Sequence, residues 1–245
     1  MNIRKKLFSG IILTTILFIS MGFFSFLKNT KKTQTSIEPY KESSTNLIYN
    51  LLFCDNIDLY KENTEEPYTY PFDILFSDNS SENELQKIID DKNSDPRVKT
   101  LAYNMLIIKG VKPTKKELLA VIVEVGLENG LDVLASFSDG TARYINQTEK
   151  ILVWEKRDDI KANEITEKLF ENSQKIVQQI GAWDKPRRPN PTKGNVRITF
   201  LVSDGLYFGE GPIDVLFNDQ MANPALTNAT ELMKYLTEKS LDSGK

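Results

Sequence analysis

Five carboxylates stand where a reaction could use them. Glu124 lies inside an apolar run, Asp139 and Asp204 each sit in a Ser-Asp-Gly triplet, Glu210 lies between two glycines, and Asp214 follows shortly after. Gathered in one cleft, they would supply the oxygen ligands and acid–base groups of a carboxylate-based, metal-dependent hydrolase. Few other chemistries are open, because the chain has no histidine and a single cysteine, Cys54. Ser-His-Asp and Cys-His nucleophilic catalysis are excluded, as are His-ligated zinc, haem and copper. One thiol also rules out an intramolecular disulfide, and within "LIYNLLFCD" it reads as a small buried hydrophobe.

The spacing argues against convergence. Asp139 and Asp204 each precede a glycine between two strand-like runs, "LASFSDGTARYI" and "ITFLVSDGLYFGE". A tight hairpin turn needs residues that tolerate positive φ at such positions, so turn chemistry alone accounts for both triplets. Nothing matches the acidic loop of calcium sites, and no metal or cofactor is expected. Glu124 interrupts "AVIVEVGL" and reads as a charge on the solvated face of a strand. The rival reading is a partly buried carboxylate with a raised pKa, suited to acid–base work. Arg143, in "TARYI", reads in the same way as a strand-surface charge.

A different group of residues is suited to binding. "WDKPRRPNPTKG" gathers Lys185, Arg187, Arg188 and Lys193 beside Trp183. Its prolines predict an extended loop that displays the basic groups outward, toward an acidic partner or lipid headgroups. Tyr207 and Phe208, in "DGLYFGE", would extend that patch, since exposed aromatic side chains favour interfaces. The plainer alternative is a charged connector between a helix and a strand.

Elements that must position these residues follow from the pattern. Ser81 with Glu84 three residues on is a capping box, which opens a helix over "SENELQKIIDD". Asp95 and Pro96 open another that stops at Gly110, with Val98, Leu101, Ala102, Met105 and Ile108 on one face. From "ELLAVIVEVGL" to "ILVWE", the turns "ENG", "SDG" and "NQTEK" separate strand-like runs, which predicts a four-stranded antiparallel meander. An amphipathic helix follows, with Ile165, Leu169, Ile176, Val177 and Ile180 on one stripe. After the basic loop come a hairpin around the second Ser-Asp-Gly, a strand-like "GPIDVLF" and a closing helix. The expected fold is α+β: a mainly antiparallel sheet of meander plus hairpin, covered by helices and preceded by a helical N-terminal section and a single N-terminal transmembrane helix.

That transmembrane expectation rests on Leu7–Leu27, 21 residues without a charge, flanked by Arg4, Lys5 and Lys6 and by Lys28, Lys31 and Lys32. At about 1.5 Å per residue such a helix spans the roughly 30 Å hydrocarbon core. Ser20 and Gly22 would suit signal cleavage and a secreted product, but the apolar run continues to Leu27, which favours an uncleaved signal-anchor. The basic N-terminal tail points the body of the protein out of the cytoplasm. Domains are therefore expected as an anchor over 1–32, a juxtamembrane linker over 33–43, a helical section over 44–110 and the sheet domain over 111–245, the last two forming one globular unit.

Residues 1–32 hold six of the 31 Lys+Arg and none of the 34 Asp+Glu, which leaves the rest with a net charge of −9. So acidic a domain is unsuited to neutralising phosphate backbones, and nucleic acid is excluded as a partner. The functional expectation is a membrane-anchored, non-enzymatic binding or assembly protein of the cell envelope with a protein partner. The carboxylate hydrolase is its alternative.

Overall fold

The computed structural model describes residues 36–243. The Leu7–Leu27 segment and the start of the linker lie outside them, and no helix among the described residues is long and apolar enough to cross a membrane. Five helices come first: α1 (Ser43–Leu51), α2 (Ile57–Glu62), α3 (Phe72–Leu75), α4 (Glu82–Asp90) and α5 (Pro96–Ile108). The local signals act as the sequence predicts. The Ser81 hydroxyl accepts from the Glu84 N–H while the Glu84 carboxylate accepts from Ser81 N–H, so two orphan donors at the start of α4 are satisfied. Asp95 accepts from Arg97 N–H at 2.8 Å and Pro96 occupies the first turn of α5. Ile108, expected on the buried face of α5, is instead 84% exposed; the interior position belongs to Leu106.

The meander follows as β1 (Leu118–Leu127), β2 (Gly130–Phe137), β3 (Ala142–Ile145) and β4 (Ile151–Trp154), then α6 (Ile160–Val177), β5 (Asn195–Val202), β6 (Gly205–Pro212), α7 (Ile213–Asn218) and α8 (Ala222–Ser243). All six strands form one antiparallel sheet in the order β4-β3-β2-β1-β5-β6, so the hairpin β5–β6 adds beside β1 at its centre. Gly140 (φ +84°) and Gly205 (φ +139°) take the turn conformations that the two Ser-Asp-Gly triplets demand. "PIDVLFN", expected to be strand-like, is the short helix α7. "PFDILF", which shares Pro, Asp, Leu and Phe with it at matching positions, forms the short helix α3, so one local geometry accounts for both stretches.

Strand alternation sends side chains to two covered faces. On one, Val121, Val123, Val196, Ile198 and Phe200 pack against Ala162, Leu169, Leu226 and Leu232 of α6 and α8. On the other, Ala120, Ile122, Val133, Ala135 and Phe137 pack against Tyr49, Phe53, Leu85, Ile88 and Leu101 of the N-terminal helical section. The helical section thus shares a core with the sheet. The chain leading into it is docked as well: Tyr40 is buried and donates its hydroxyl to the Leu131 carbonyl at 3.0 Å. The N-terminal helices stop short of both sheet edges. At β4, Ile151 and Val153 remain exposed; at β5 and β6, the Pro-rich loop takes the helices' place.

Candidate functional site

Glu124 (β1) and Arg197 (β5) face each other directly in the strand register. Both are buried, Glu124 at 0% and Arg197 at 3% exposure, which overturns the expectation of a solvated Glu124. Both faces of β1 are covered, so a lone charge there enters the core instead of meeting water. Tyr49 of α1 donates its hydroxyl to Glu124 Oε1 at 2.6 Å. Arg197 Nη1 lies 3.5 Å from Glu124 Oε2, within ion-pair range, yet Oε2 makes no hydrogen bond. Burial holds the Glu124 carboxyl above the usual range and outweighs the opposing pull of Arg197, the Tyr49 hydroxyl and Arg187. Burial, reinforced by Glu124, also holds the Tyr49 phenol well above its ordinary value.

Arg197 is the hub of the cluster. It donates Nε and Nη2 to Glu210 Oε2 at 3.0 and 2.7 Å, and Nη1 and Nη2 to the carbonyls of Arg188 and Pro189 at 3.2 and 2.6 Å. A planar guanidinium with five donors can bind two carboxylates and two carbonyls at once, where an ammonium could not. By holding two loop carbonyls, Arg197 pins the Pro-rich loop across the sheet. The far end of the loop is fixed by a close approach to β1: Gly194 N–H donates to the Gly126 carbonyl at 2.9 Å. A Cβ on Gly126 would sit 2.2 Å from the Thr192 carbonyl oxygen, so only glycine admits the loop there.

The loop's own arginines divide. Arg187, expected to point outward, is turned in, with its side chain 9% exposed. Its guanidinium lies 3.8 Å from the centre of the Phe53 ring and 5.3 Å from that of Tyr49. Its Nε donates to Asp55 at 2.9 Å and its Nη2 to Asn50 at 2.7 Å, while Nη1 has no partner. Apolar and aromatic surface under the loop draws the flat guanidinium inward, and Asp55 offsets its charge. Arg188 stays half-exposed, 3.4 Å from Glu210 and over the face of Phe208. Trp183 packs edge-on against Phe208 with ring centres 5.1 Å apart, and Lys185 lies over the Trp183 ring. Lys193 reaches away to Glu128. A cavity of about 10 Å³ remains among Arg187, Arg188, Arg197, Thr199 and the Trp183–Phe208 pair.

The other predicted residues lie elsewhere. Tyr207, expected beside Phe208, points to the opposite face because successive strand residues alternate; it is 2% exposed and donates to Asp204 at 2.9 Å. Asp139 binds the Thr141 N–H and hydroxyl within its turn and pairs with Arg157 at 2.6 Å. Asp214 is in the first turn of α7, where its carbonyl accepts from Asn218. Of the five candidate carboxylates, only Glu124 and Glu210 meet, and they meet through Arg197. Among the described residues, no group of three or more Asp, Glu or Cys is arranged to hold a metal ion. A larger cavity, about 340 Å³, lies by Tyr40, Gly130 and Glu149 and is lined by none of these candidates. Arg143 is also buried, at 8%, and paired with Glu155.

Sequence reasoning missed Tyr49, Asn50, Phe53, Asp55 and Arg197. One signal was present: "AVIVEVGL" and "VRITFLV" each carry a single charge, of opposite sign, in an otherwise apolar strand. Cys54 follows the expectation of a buried hydrophobe. Burial pushes its thiol up to about 12 despite a 3.2 Å contact with the Tyr60 hydroxyl. No family model matches the chain, and neither the curated proteins nor the solved structures contain a significant match to it.

Proposed function

We propose that this chain is a membrane-anchored, non-enzymatic binding or assembly protein that holds an acidic α+β domain on the extracytoplasmic side of the membrane. The observation that carries this reading is the internal pairing of its charged side chains. Arg197 engages Glu124 and Glu210, Asp55 engages Arg187, and Arg157 engages Asp139. A general acid must reach its substrate and a metal centre needs several free ligands, whereas groups consumed by one another support a rigid, presented surface. The uncharged Leu7–Leu27 run supplies the anchor.

The test is fractionation of cells expressing the full chain. The protein is expected to stay with the membrane after an alkaline carbonate wash, and protease is expected to reach the domain from outside without lysis. Release by carbonate, or protection of the domain until the cells are lysed, would sink the reading. The competing hydrolase reading is favoured by one observation, the burial of Glu124 in contact with the Tyr49 hydroxyl, an environment that pushes its carboxyl pKa up. It predicts a divalent-metal-specific rise in melting temperature that Glu124→Gln abolishes.

A further inference from the structure

Three arginines, 187, 188 and 197, converge on a cavity large enough for a single oxygen atom, beside the half-buried Trp183, the exposed Arg188 and the exposed Lys185 that lies over the Trp183 ring. Their hydrogen bonds are unevenly spent. Arg197 spends four hydrogen bonds on Glu210 and two carbonyls and faces the Glu124 carboxylate. Arg187 uses Nε and Nη2 on Asp55 and Asn50, so its buried Nη1 is a donor left without an acceptor. An unsatisfied buried guanidinium nitrogen costs free energy, and an anionic oxygen is the acceptor that best offsets that cost. Arg188 and Lys185, at the rim, would meet the oxygens that remain outside. Trp183 and Phe208 wall the cavity on one side.

The position of this rim in the chain points to a source for such an oxygen. Asn50 donates to Ser36 Oγ at 3.2 Å and to the Ile37 carbonyl at 2.9 Å, and its own Oδ1 accepts from Arg187. The first described residue is therefore one side chain away from the loop. Eight residues, 28–35, lie between Leu27 and Ser36; fully extended, the nine steps reach about 30 Å. Residues 33–245 carry a net charge of −9, so an anionic bilayer repels the domain as a whole and any contact must be made by a local basic patch.

We propose that the cavity and its rim bind a phosphate group, and that the group is a phospholipid headgroup of the membrane carrying the anchor. The proposal rests on the anchored reading above. It lays the Pro-rich loop against the membrane and turns the β4 edge, at the other end of the sheet, away from it.

Trp183 reports on this directly, because Trp154, the other tryptophan, is buried on the opposite face. Full-length protein in nanodiscs of phosphatidylcholine with phosphatidylglycerol, doped with a headgroup spin label, is expected to show fluorescence quenching. Trp183→Phe should abolish that quenching, and Lys185→Gln with Arg188→Gln should remove most of it. Protein that enters the discs with Trp183 unquenched would overturn the headgroup site while leaving the anchor intact. Failure to enter the discs at all would remove the anchor and the headgroup assignment together. A rise in melting temperature with millimolar inorganic phosphate that is lost in Arg188→Gln, without quenching in discs, would replace the lipid by free phosphate and overturn the assignment.

Discussion

The two faces of the sheet use the same strands in different ways. Under α6 and α8, β1 and β5 present Val121, Val123, Ile198 and Phe200 to a layer of leucine, isoleucine and alanine. On the other face they present Ile122, Glu124, Arg197 and Thr199, and the N-terminal helices cover only part of the surface. Apolar burial is non-directional, so two amphipathic helices are enough to close the first face. Charges taken from water need partners in fixed geometry, and here the partners come from a loop, a strand and a helix distant in sequence. The first face is sealed by apolar area; the second adds directed bonds, at its β5–β6 end, to the apolar core under the N-terminal helices.

Five single substitutions and one double variant break or sharpen that contrast. The largest effect is expected from Arg197→Ala, which leaves Glu124 uncompensated and frees the loop; loss of one partner of a buried pair costs about 3–5 kcal/mol. Urea denaturation checks it, and the double variant Glu124→Leu with Arg197→Met should recover most of the loss, since matched apolar residues can replace a buried pair. On the apolar face, Leu169→Ala should cost about 2–4 kcal/mol through the cavity it leaves, with no effect on proteolysis of the loop. Gly126→Ala, whose Cβ meets loop backbone, should cost about 1–3 kcal/mol and open residues 183–194 to limited proteolysis. The smallest effects belong to Asp139→Asn and Asp204→Asn, each expected within about 1 kcal/mol. A divalent-metal shift in melting temperature that either of these abolished would contradict the turn geometry and revive the hydrolase.

Glu124→Gln probes the polar face by pH. The folded state raises this carboxyl above its unfolded value, so folded protein holds the proton more tightly. Stability from this group is present below the unfolded pKa and is lost as pH rises through the folded one. Wild type should therefore lose stability across that window relative to Glu124→Gln, as read from urea midpoints at stepped pH. Parallel pH profiles for the two proteins would show that folding leaves the Glu124 pKa unshifted.

Much of the fold was legible because its signals are local. The capping box at Ser81, the Asp95–Pro96 start, the four strands of the meander and the stripe of α6 all follow from residues within a few positions of each other. The polar site was not legible for the converse reason. Whether Glu124 meets water depends on α1 arriving from 75 residues away, and whether Arg187 points outward depends on Phe53 and Asp55 lying beneath it. Alternation explains the split between Tyr207 and Phe208, which the sequence placed together and the sheet sends to opposite faces.

By itself the sequence determined the hairpin turns, the starts of α4 and α5, the strand order of the meander and the chemistries closed to a chain without histidine. Periodicity and capping act over one or two turns of backbone, so nearby residues are enough to set them. Tertiary structure alone decided which charges are buried, which arginine faces inward and which two of five carboxylates share a guanidinium. Those outcomes depend on desolvation and directed pairing between segments far apart in the chain, and these forces act only once the segments have packed.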